Sequence, residues 1–321
     1  MRHTRIRLTY VLAVGVALAI ALPVGSSASA SHVPKCLEVT PTLAGTPGDD
    51  ILVGTREDDV ILGLGGNDTI DGLDGADLIC GNEGNDDIEG GPDVDALVGG
   101  SGDDRLIGSE SDGSFGEDPD FAVYVDSPAP IQASLMTAVA VGDGTDSLVE
   151  VEGLTGSPFG DTLEGDAGFN ILDGRAGDDR LTGMGGSDFL DGDDGNDVFD
   201  GGPGEDFASY DYAPAPVTVD LGHGIASGWG SDTITGVEDV IGSRFDDRLI
   251  GDPGRNAMFG GSGADVVSGA GGADLLRGEK ASDVLNGGPG PDRLDGGPGR
   301  DRLNGGSGRD RCVGERKRSC P

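Results

Sequence analysis

The chain has 321 residues, of which 62 are glycine, and a formal net charge of −38 at pH 7. Aromatic residues make up only 4% of it, which is too few for a conventional large core, so a repetitive structure with a thin core is expected. The acidity argues against nucleic acid and anionic membrane surfaces as partners, and it favours cations.

The N-terminus has the pattern of a secretory signal peptide. Arg2, Arg5 and Arg7 precede an apolar run, Leu8–Leu22, and an Ala-x-Ala motif then ends at Ala30. This predicts a signal peptide over residues 1–30, cleavage after Ala30 and an extracellular, secreted protein. A transmembrane anchor is the alternative, but the apolar run is short for a bilayer span.

A nine-residue repeat follows, and it is clearest in Gly63–Glu89, where three nonapeptides stand in phase. Position 1 is Gly, position 4 is Gly, position 6 is Asp and position 8 is Ile in all three. A period of nine fits neither a helix face nor simple strand alternation, so the repeat is itself the structural unit. The first six residues read as a tight loop and the last three as a short strand with one inward side chain. Such units bury little alone and must stack on their neighbours.

Stacking would place the position-6 aspartates in a row with a spacing of about 4.8 Å. Such a row is repulsive unless cations lie within it, and calcium suits the place because it takes carboxylate and carbonyl oxygens in flexible geometry. These residues resemble the nonapeptides of the RTX (haemolysin-type) calcium-binding family. The resemblance implies an all-β, right-handed parallel β-roll or β-helix solenoid with two nonapeptides per coil. It also implies calcium ions between loops two repeats apart, held by loop carbonyls and the position-6 Asp. A disordered Gly/Asp tract is the alternative, but it would not keep a hydrophobe in phase at position 8.

The repeats form three blocks with two spacers between them. The spacers are copies of each other at an offset of 86 residues, as Asp120–Tyr124 and Asp206–Tyr210 show. We expect them to be longer coils of the same stack. The predicted organisation is an N-terminal cap at 31–44, block 1 at 45–107, a spacer at 108–155, block 2 at 156–206, a spacer at 207–241, block 3 at 242–313 and a basic tail at 314–321.

The predicted calcium ligands are the position-6 aspartates and the carbonyls of the loop glycines. The carboxylates are Asp50, Asp59, Asp68, Asp77, Asp86, Asp95, Asp104, Asp161, Asp179, Asp188, Asp197, Asp206, Asp247, Asp265, Asp274, Asp283, Asp292, Asp301 and Asp310. The carbonyls, on the same resemblance, are those of Gly63, Gly66, Gly72, Gly75, Gly81, Gly84, Gly183, Gly186, Gly192, Gly195, Gly260, Gly263, Gly269 and Gly272.

Some loops depart from the pattern. Glu57 and Asp93 replace the position-4 Gly, which predicts weaker binding there, and Gly278–Asp283 is a doubtful site because it lacks the usual loop glycines. Glu152 and Glu238 in the spacers have two possible roles, as extra ligands or as structural residues.

Four cysteines in a secreted chain predict two disulfides. Cys36 precedes the first repeat and Cys80 lies in the fourth, whereas Cys312 and Cys320 lie near the C-terminus. Among the three possible connectivities we predict Cys36–Cys80 and Cys312–Cys320, which would staple the two ends. Free thiols and a zinc site are alternatives, but no CxxC spacing supports them.

No catalytic motif stands out, so we expect no enzymatic activity. A His-Glu-x-x-His motif and a Gly-x-Ser-x-Gly elbow are both missing, and His32 and His223 are isolated. Trp229 and the spacer tyrosines are expected to pack, although they are the only candidates for contacts with carbohydrate or protein.

The sequence therefore predicts a secreted protein that folds when it binds calcium. Thin cores and Gly-rich loops leave the apo chain short of folding free energy, which metal binding would supply. Counting sites between loops two apart gives on the order of 15 calcium ions. The alternative is a calcium-stiffened adhesin or matrix protein that binds a cell-surface or extracellular polymer. The basic C-terminal tail could dock on such a polymer, but we expect it to be a solvated cap.

Overall fold

The computed structural model describes residues 36–37, 39–109, 118–314, 316–318 and 320. The predicted signal peptide and His32 lie outside this part of the chain. Within it, every regular element is a β-strand. No helix among the described residues has the length and apolar character needed to span a membrane.

The strands are short and evenly spaced along the chain. They are β1 Leu43–Ala44, β2 Ile51–Val53, β3 Val60–Gly65, β4 Thr69–Asp71, β5 Leu78–Glu83, β6 Asp87–Glu89, β7 Ala96–Ser101, β8 Arg105–Ile107, β9 Phe121–Val123, β10 Gln132–Ser134, β11 Val139–Val141, β12 Thr145–Val149, β13 Gly153–Thr155, β14 Thr162–Glu164, β15 Ile171–Asp173, β16 Arg180–Thr182, β17 Phe189–Asp191, β18 Val198–Asp200, β19 Phe207–Ser209, β20 Thr218–Asp220, β21 Ile225–Ser227, β22 Ser231–Thr235, β23 Asp239–Ile241, β24 Arg248–Ile250, β25 Ala257–Phe259, β26 Val266–Ser268, β27 Leu275–Arg277, β28 Val284–Pro289, β29 Arg293–Asp295, β30 Arg302–Ser307, β31 Arg311–Val313 and β32 Arg316–Arg318.

The chain divides into two compact units. The first comprises Met1–Pro128 and Thr137–Leu154, and the second comprises Ala129–Met136 and Thr155–Pro321.

In the first unit, alternate strands belong to two parallel sheets. One sheet pairs β1, β3, β5, β7 and β9, and the other pairs β2, β4, β6, β8 and β12. Ile61 lies opposite Ile79, and Ile79 lies opposite Leu97, so paired residues are eighteen apart. Two nonapeptides therefore make one coil, with one strand in each sheet.

The second unit is built in the same way. The strands β15, β17, β19, β23, β25, β27, β29 and β31 pair in parallel, as do β20, β24, β26, β28, β30 and β32. The spacer strand β21 pairs antiparallel with β20 and β22, whereas β22 itself pairs in parallel with β18 of the preceding repeats. These pairings confirm the predicted all-β fold with a parallel β-roll in each unit.

The core is a row of position-8 side chains. Ile70, Ile88 and Leu106 on one face and Ile61 and Ile79 on the other are almost fully buried. Some nonapeptides also bury the position-9 side chain, as at Leu62 and Cys80, and the core is thin, as the low aromatic content predicts.

Both predicted disulfides are present. Cys36 is bonded to Cys80 with their Cα atoms 5.6 Å apart, and Cys312 is bonded to Cys320 at 5.9 Å. There is no free cysteine among the described residues.

Candidate metal centre

The position-6 aspartates form continuous hydrogen-bonded ladders through the coils. The main-chain N–H of Asp50 donates to Oδ1 of Asp68 at 2.8 Å, and the N–H of Asp68 donates to Oδ1 of Asp86 at 2.8 Å. In the second unit, Asp179 donates in the same way to Asp197 at 2.9 Å. Each such side chain thus turns inward and crosses from its own coil to the coil before it. Asp86 and Asp179 are 2% and 1% exposed, so these carboxylates lie inside the wall of the roll.

The second carboxylate oxygen has a different environment. In most loops Oδ2 is buried and has no hydrogen-bond partner among the described residues. The aspartates with such an oxygen are Asp68, Asp77, Asp86, Asp95, Asp104, Asp179, Asp188, Asp206, Asp265, Asp274, Asp283, Asp292, Asp301 and Asp310. A buried acceptor without a donor costs free energy, more so when it is charged, so these oxygens require a cation or a proton.

These loops share a backbone conformation, and we call them left-handed loops. In each of them the residue at position 2 has a positive φ. Glycine adopts this conformation freely, but Leu64 (φ 86°), Arg175 (φ 74°) and Glu279 (φ 68°) also adopt it, at a cost in conformational free energy. Strain that recurs at the same place beside an unsatisfied carboxylate points to a binding function for the loop.

In several loops the unpartnered oxygen and a main-chain carbonyl oxygen lie next to the same position-1 glycine. A Cβ placed on Gly63 would press against Oδ2 of Asp68 and would lie 2.7 Å from the carbonyl oxygen of Gly81. The same arrangement recurs at Gly81, where a Cβ would meet Asp86 and would lie 2.7 Å from the carbonyl oxygen of Gly99. Position 1 is therefore glycine because any side chain would fill an oxygen-lined space. Oxygen donors of this kind fit a hard cation such as calcium.

Side chains alone do not form a metal site. Among the described residues no group of three or more His, Cys, Asp or Glu side chains is placed to hold a metal ion. A cation bound here would need the loop carbonyls as well as the aspartates, and the ligand set of aspartates and loop carbonyls stays a prediction.

Burial raises the pKa values of many ladder carboxylates, among them Asp95, Asp104 and Asp188. Burial, together with the neighbouring ladder charges, raises the pKa of Asp95 to about 9, that of Asp188 to about 8 and that of Asp104 to about 7. Hydrogen bonds from the main chain oppose this effect without cancelling it. The raised values mean that the charged ladder is unfavourable at neutral pH when no cation is present.

A second kind of loop satisfies its carboxylate with hydrogen bonds, and we call these clasped loops. In Gly45–Asp50 the N–H and hydroxyl of Thr46 donate to Oδ2 of Asp50 at 2.6 and 2.9 Å. In Gly54–Asp59 the N–H and hydroxyl of Thr55 donate to Oδ2 of Asp59 at 2.7 and 2.8 Å. The position-2 residue of these loops does not have a positive φ.

The spacers continue the ladders with carboxylates that the nine-residue period does not identify. Asp95, Asp104 and Asp197 donate their N–H groups to carboxylates 25, 42 and 35 residues further along the chain. The acceptors are Asp120, Asp146 and Asp232. In the second unit the hydroxyl of Tyr210 donates to the other oxygen of Asp232 at 2.9 Å. This tyrosine packs inward, as Tyr124 does, but the expectation is wrong for the spacer residue Tyr212, which is 56% exposed.

The two spacer glutamates have a structural contact. Oε2 of Glu152 accepts the N–H of Asp120 at 3.1 Å, and Oε2 of Glu238 accepts that of Asp206 at 3.1 Å. Each glutamate thus takes the place of a position-6 Asp in its ladder.

The irregular loops keep the geometry of their neighbours. In Gly278–Asp283, Glu279 and Ala281 both have positive φ, and Oδ2 of Asp283 is buried without a partner, as in the regular loops. Asp93 at position 4 also has a positive φ of 80°. The loop that contains Glu57, in contrast, is clasped.

The remaining candidates lie away from the ladders. His223 is exposed, and its Nδ1 lies 2.9 Å from Oδ2 of Asp220 three residues earlier. Trp229 is half-buried.

The fold and the ladders define a class of protein, the β-roll with stacked acidic loops. The family model of the RTX calcium-binding nonapeptide repeat (four copies) matches residues 44–79, 81–114, 155–190, 174–208, 241–276 and 277–312. These segments cover more than half of the chain, and the chain belongs to this family. The comparison with curated proteins gives no match.

Proposed function

We propose that this protein binds several calcium ions in its left-handed loops and that their binding drives the folding of the roll. The observation that carries the proposal is the row of buried Oδ2 atoms without a partner, several of which share a position-1 glycine with a main-chain carbonyl oxygen. Calcium would supply the positive charge and the oxygen coordination that these groups lack.

Residues at different repeat positions would have different roles in calcium binding. Oδ1 of each ladder Asp is held by a main-chain N–H, which fixes the orientation of the carboxylate and leaves Oδ2 as the ligand. The position-1 carbonyl two repeats further on, such as that of Gly81 for Asp68, would be a second ligand. Left-handed position-2 residues shape the loop. Because an acidic ladder is unfavourable without a cation, binding free energy becomes folding free energy.

We also propose that the protein acts outside the cell. Two disulfides in a chain of this size are typical of an oxidising compartment, and the pattern of residues 1–30 is that of a signal peptide. Free calcium is scarce inside the cell, so calcium binding would make the chain fold only after it has left the cell. A catalytic role is not part of the proposal.

A direct binding measurement tests the proposal. Calcium-depleted protein is dialysed against labelled calcium at micromolar to millimolar concentrations, with magnesium in excess as competitor. Several calcium ions bound per chain, not displaced by magnesium, are expected. Binding of no calcium, or equal displacement by magnesium, would refute it.

A second candidate function is a calcium-stiffened platform that binds an acidic extracellular polymer. Arg293 and Arg311 lie opposite each other on adjacent strands, and they are exposed, as are Arg300, Arg302 and Arg309. None of the five forms an ion pair with another described residue. Cosedimentation with a polyuronate that requires calcium and is lost when these arginines are replaced by glutamine would support this function.

A further inference from the structure

The clasped loops are not scattered through the repeats. They are the first two loops of each block. The first two loops of block 1 are those of Thr46 and Thr55. In both, one threonine gives Oδ2 of the aspartate two hydrogen bonds. Oδ1 of Asp59 also accepts the hydroxyl of Thr42 at 2.8 Å.

Blocks 2 and 3 open in the same way, with serine at position 2. The N–H and hydroxyl of Ser157 donate to the two oxygens of Asp161 at 2.5 and 2.8 Å. Ser243 makes the same pair of bonds to Asp247, also at 2.5 and 2.8 Å.

The second loop of these two blocks carries a neutral side chain at position 6. The N–H of Asp166 donates to Oδ1 of Asn170 at 2.7 Å, and that of Asp252 donates to Oδ1 of Asn256 at 3.0 Å. Nδ2 of Asn256 donates to the carbonyl of Glu238 at 2.7 Å. In these two loops the neutral side-chain amide of asparagine therefore occupies the place that a charged carboxylate takes in the other loops.

The position-2 residue separates the two kinds of loop. In clasped loops it is Thr, Ser or Asp, its φ is not positive, and its N–H points at the position-6 side chain. In left-handed loops the positive φ turns the peptide group of the position-2 residue, so that its N–H does not donate to the position-6 carboxylate. Oδ2 of that carboxylate is therefore left without a partner. A carboxylate that already accepts two or three hydrogen bonds has little to gain from a cation.

We infer that each repeat block opens with one coil of two clasped loops that needs no calcium, and that only the left-handed loops bind the metal. The residue at position 2 determines whether a loop is clasped or left-handed. The inference rests on the proposed function and assigns its sites loop by loop. Counting only pairs of left-handed loops two repeats apart, with the loop Gly192–Asp197 included because its Asp193 also has a positive φ of 57°, lowers the expected number of calcium ions from about 15 to about nine. The three metal-independent coils are preformed surfaces on which the calcium-dependent coils stack.

Two loops of nearly identical sequence allow an exchange experiment in the full chain. Gly45–Asp50 reads G-T-P-G-D-D and is clasped, whereas Gly201–Asp206 reads G-G-P-G-E-D and is left-handed, with Gly202 at φ 92°. Gly202→Thr gives the second loop the clasp, and Thr46→Gly removes the clasp from the first. Gly202→Ala is the matched control, because it adds a Cβ that presses on the carbonyl oxygen of Met184, as the threonine variant does, but adds no hydroxyl.

Bound calcium per chain, measured by equilibrium dialysis, is the readout. We expect Gly202→Thr to bind at least one ion fewer than Gly202→Ala, which carries the same Cβ contact, and Thr46→Gly to bind one ion more than the wild type. If the wild type binds calcium but neither exchange changes the number, the inference is wrong. If the wild type binds none, the proposed function fails instead.

Hydrogen exchange provides a second readout that does not depend on variants. In chelator, amides of 45–60, 156–171 and 242–257 are expected to exchange at least tenfold more slowly than those of 81–104 or 260–310. Calcium should remove most of the difference. Equal exchange of all these segments in chelator would overturn the assignment of preformed coils.

Discussion

The two carboxylate oxygens of a ladder aspartate differ in their hydrogen bonding. Oδ1 of Asp86 accepts the N–H of Asp68 at 2.8 Å, and Oδ2 is buried without a partner. The side chain is therefore oriented for a ligand before any ligand arrives. Its charge is the unfavourable part of the arrangement, which calcium or a proton can neutralise.

The raised pKa values predict how the calcium-free protein responds to pH. The folded-state pKa is about 9 for Asp95, about 8 for Asp188 and about 6 for Asp86, each above the ordinary value of 3.8 because of burial. A folded state that holds protons more tightly than the unfolded state loses stability as pH rises. In chelator the folded fraction should be highest near pH 4 and should fall as pH rises towards 9. Far-UV circular dichroism across this range measures it, and a folded fraction that rises with pH would contradict the account.

Replacing one ladder aspartate with asparagine separates the two roles of the carboxylate. Asp86→Asn keeps an Oδ1 acceptor for the N–H of Asp68 but removes the charged ligand. In calcium at 100 times the dissociation constant, loss of one site should lower the free energy of unfolding by about 2.7 kcal/mol. Urea unfolding measures this.

The control for this variant is Asp87→Asn, which removes the same charge from an exposed strand position that pairs with Arg105 at 2.9 Å. A change within about 1 kcal/mol is expected, because exposed ion pairs contribute little. Equal effects of the two substitutions would show that the ladder carboxylate is not a ligand.

A single nonapeptide depends on glycine for close stacking. Gly84 has φ 134°, and a Cβ there would run into the carbonyl of Gly66 one coil earlier. Gly84→Ala should lower the free energy of unfolding by about 2–4 kcal/mol, since it adds backbone strain and separates two coils.

Gly48 provides the control at the same repeat position. It lies in a clasped loop, and a Cβ there would meet nothing within 4 Å. Gly48→Ala should change stability by no more than about 0.5 kcal/mol. Thermal unfolding of both variants in calcium measures the difference, and similar losses would mean that close stacking does not limit the loops.

The nine-residue period was enough to predict the element-level structure. A hydrophobe at position 8 and a loop aspartate at position 6 led to the parallel coils, the buried row that includes Ile79 and Ile88, and the stacked carboxylates. Clasped loops were not predicted, because a threonine at position 2 satisfies the same period as a glycine. Left-handed Leu64 and Met184 were also unexpected, since neither side chain favours positive φ.

Spacer carboxylates were missed for a different reason. Asp120 and Asp232 join the ladders at separations of 25 and 35 residues instead of eighteen, because the spacers insert residues into the nine-residue period. The partial repeats Gly142–Asp146 and Gly228–Asp232 were the available signal, but they do not show which coil each aspartate joins.

For the whole molecule, the disulfides predict how strongly each end depends on its staple. Cys36–Cys80 spans 44 residues and Cys312–Cys320 spans 8. Loop-closure entropy gives about 4 kcal/mol for the longer loop and about 2.6 kcal/mol for the shorter one. Replacing each pair with serines and measuring urea unfolding in calcium should give losses in this order. A larger loss from the C-terminal pair would contradict it.

Metal-coupled folding is the central claim, and a calcium titration monitored by far-UV circular dichroism tests it most directly. The purified chain is stripped of metal at neutral pH and titrated with calcium, with magnesium as the control. We expect a mainly unfolded spectrum in chelator, with a small β contribution, and a cooperative change to β structure with calcium alone. A full β spectrum already present in chelator would contradict it, because the core and disulfides would then suffice to fold the roll.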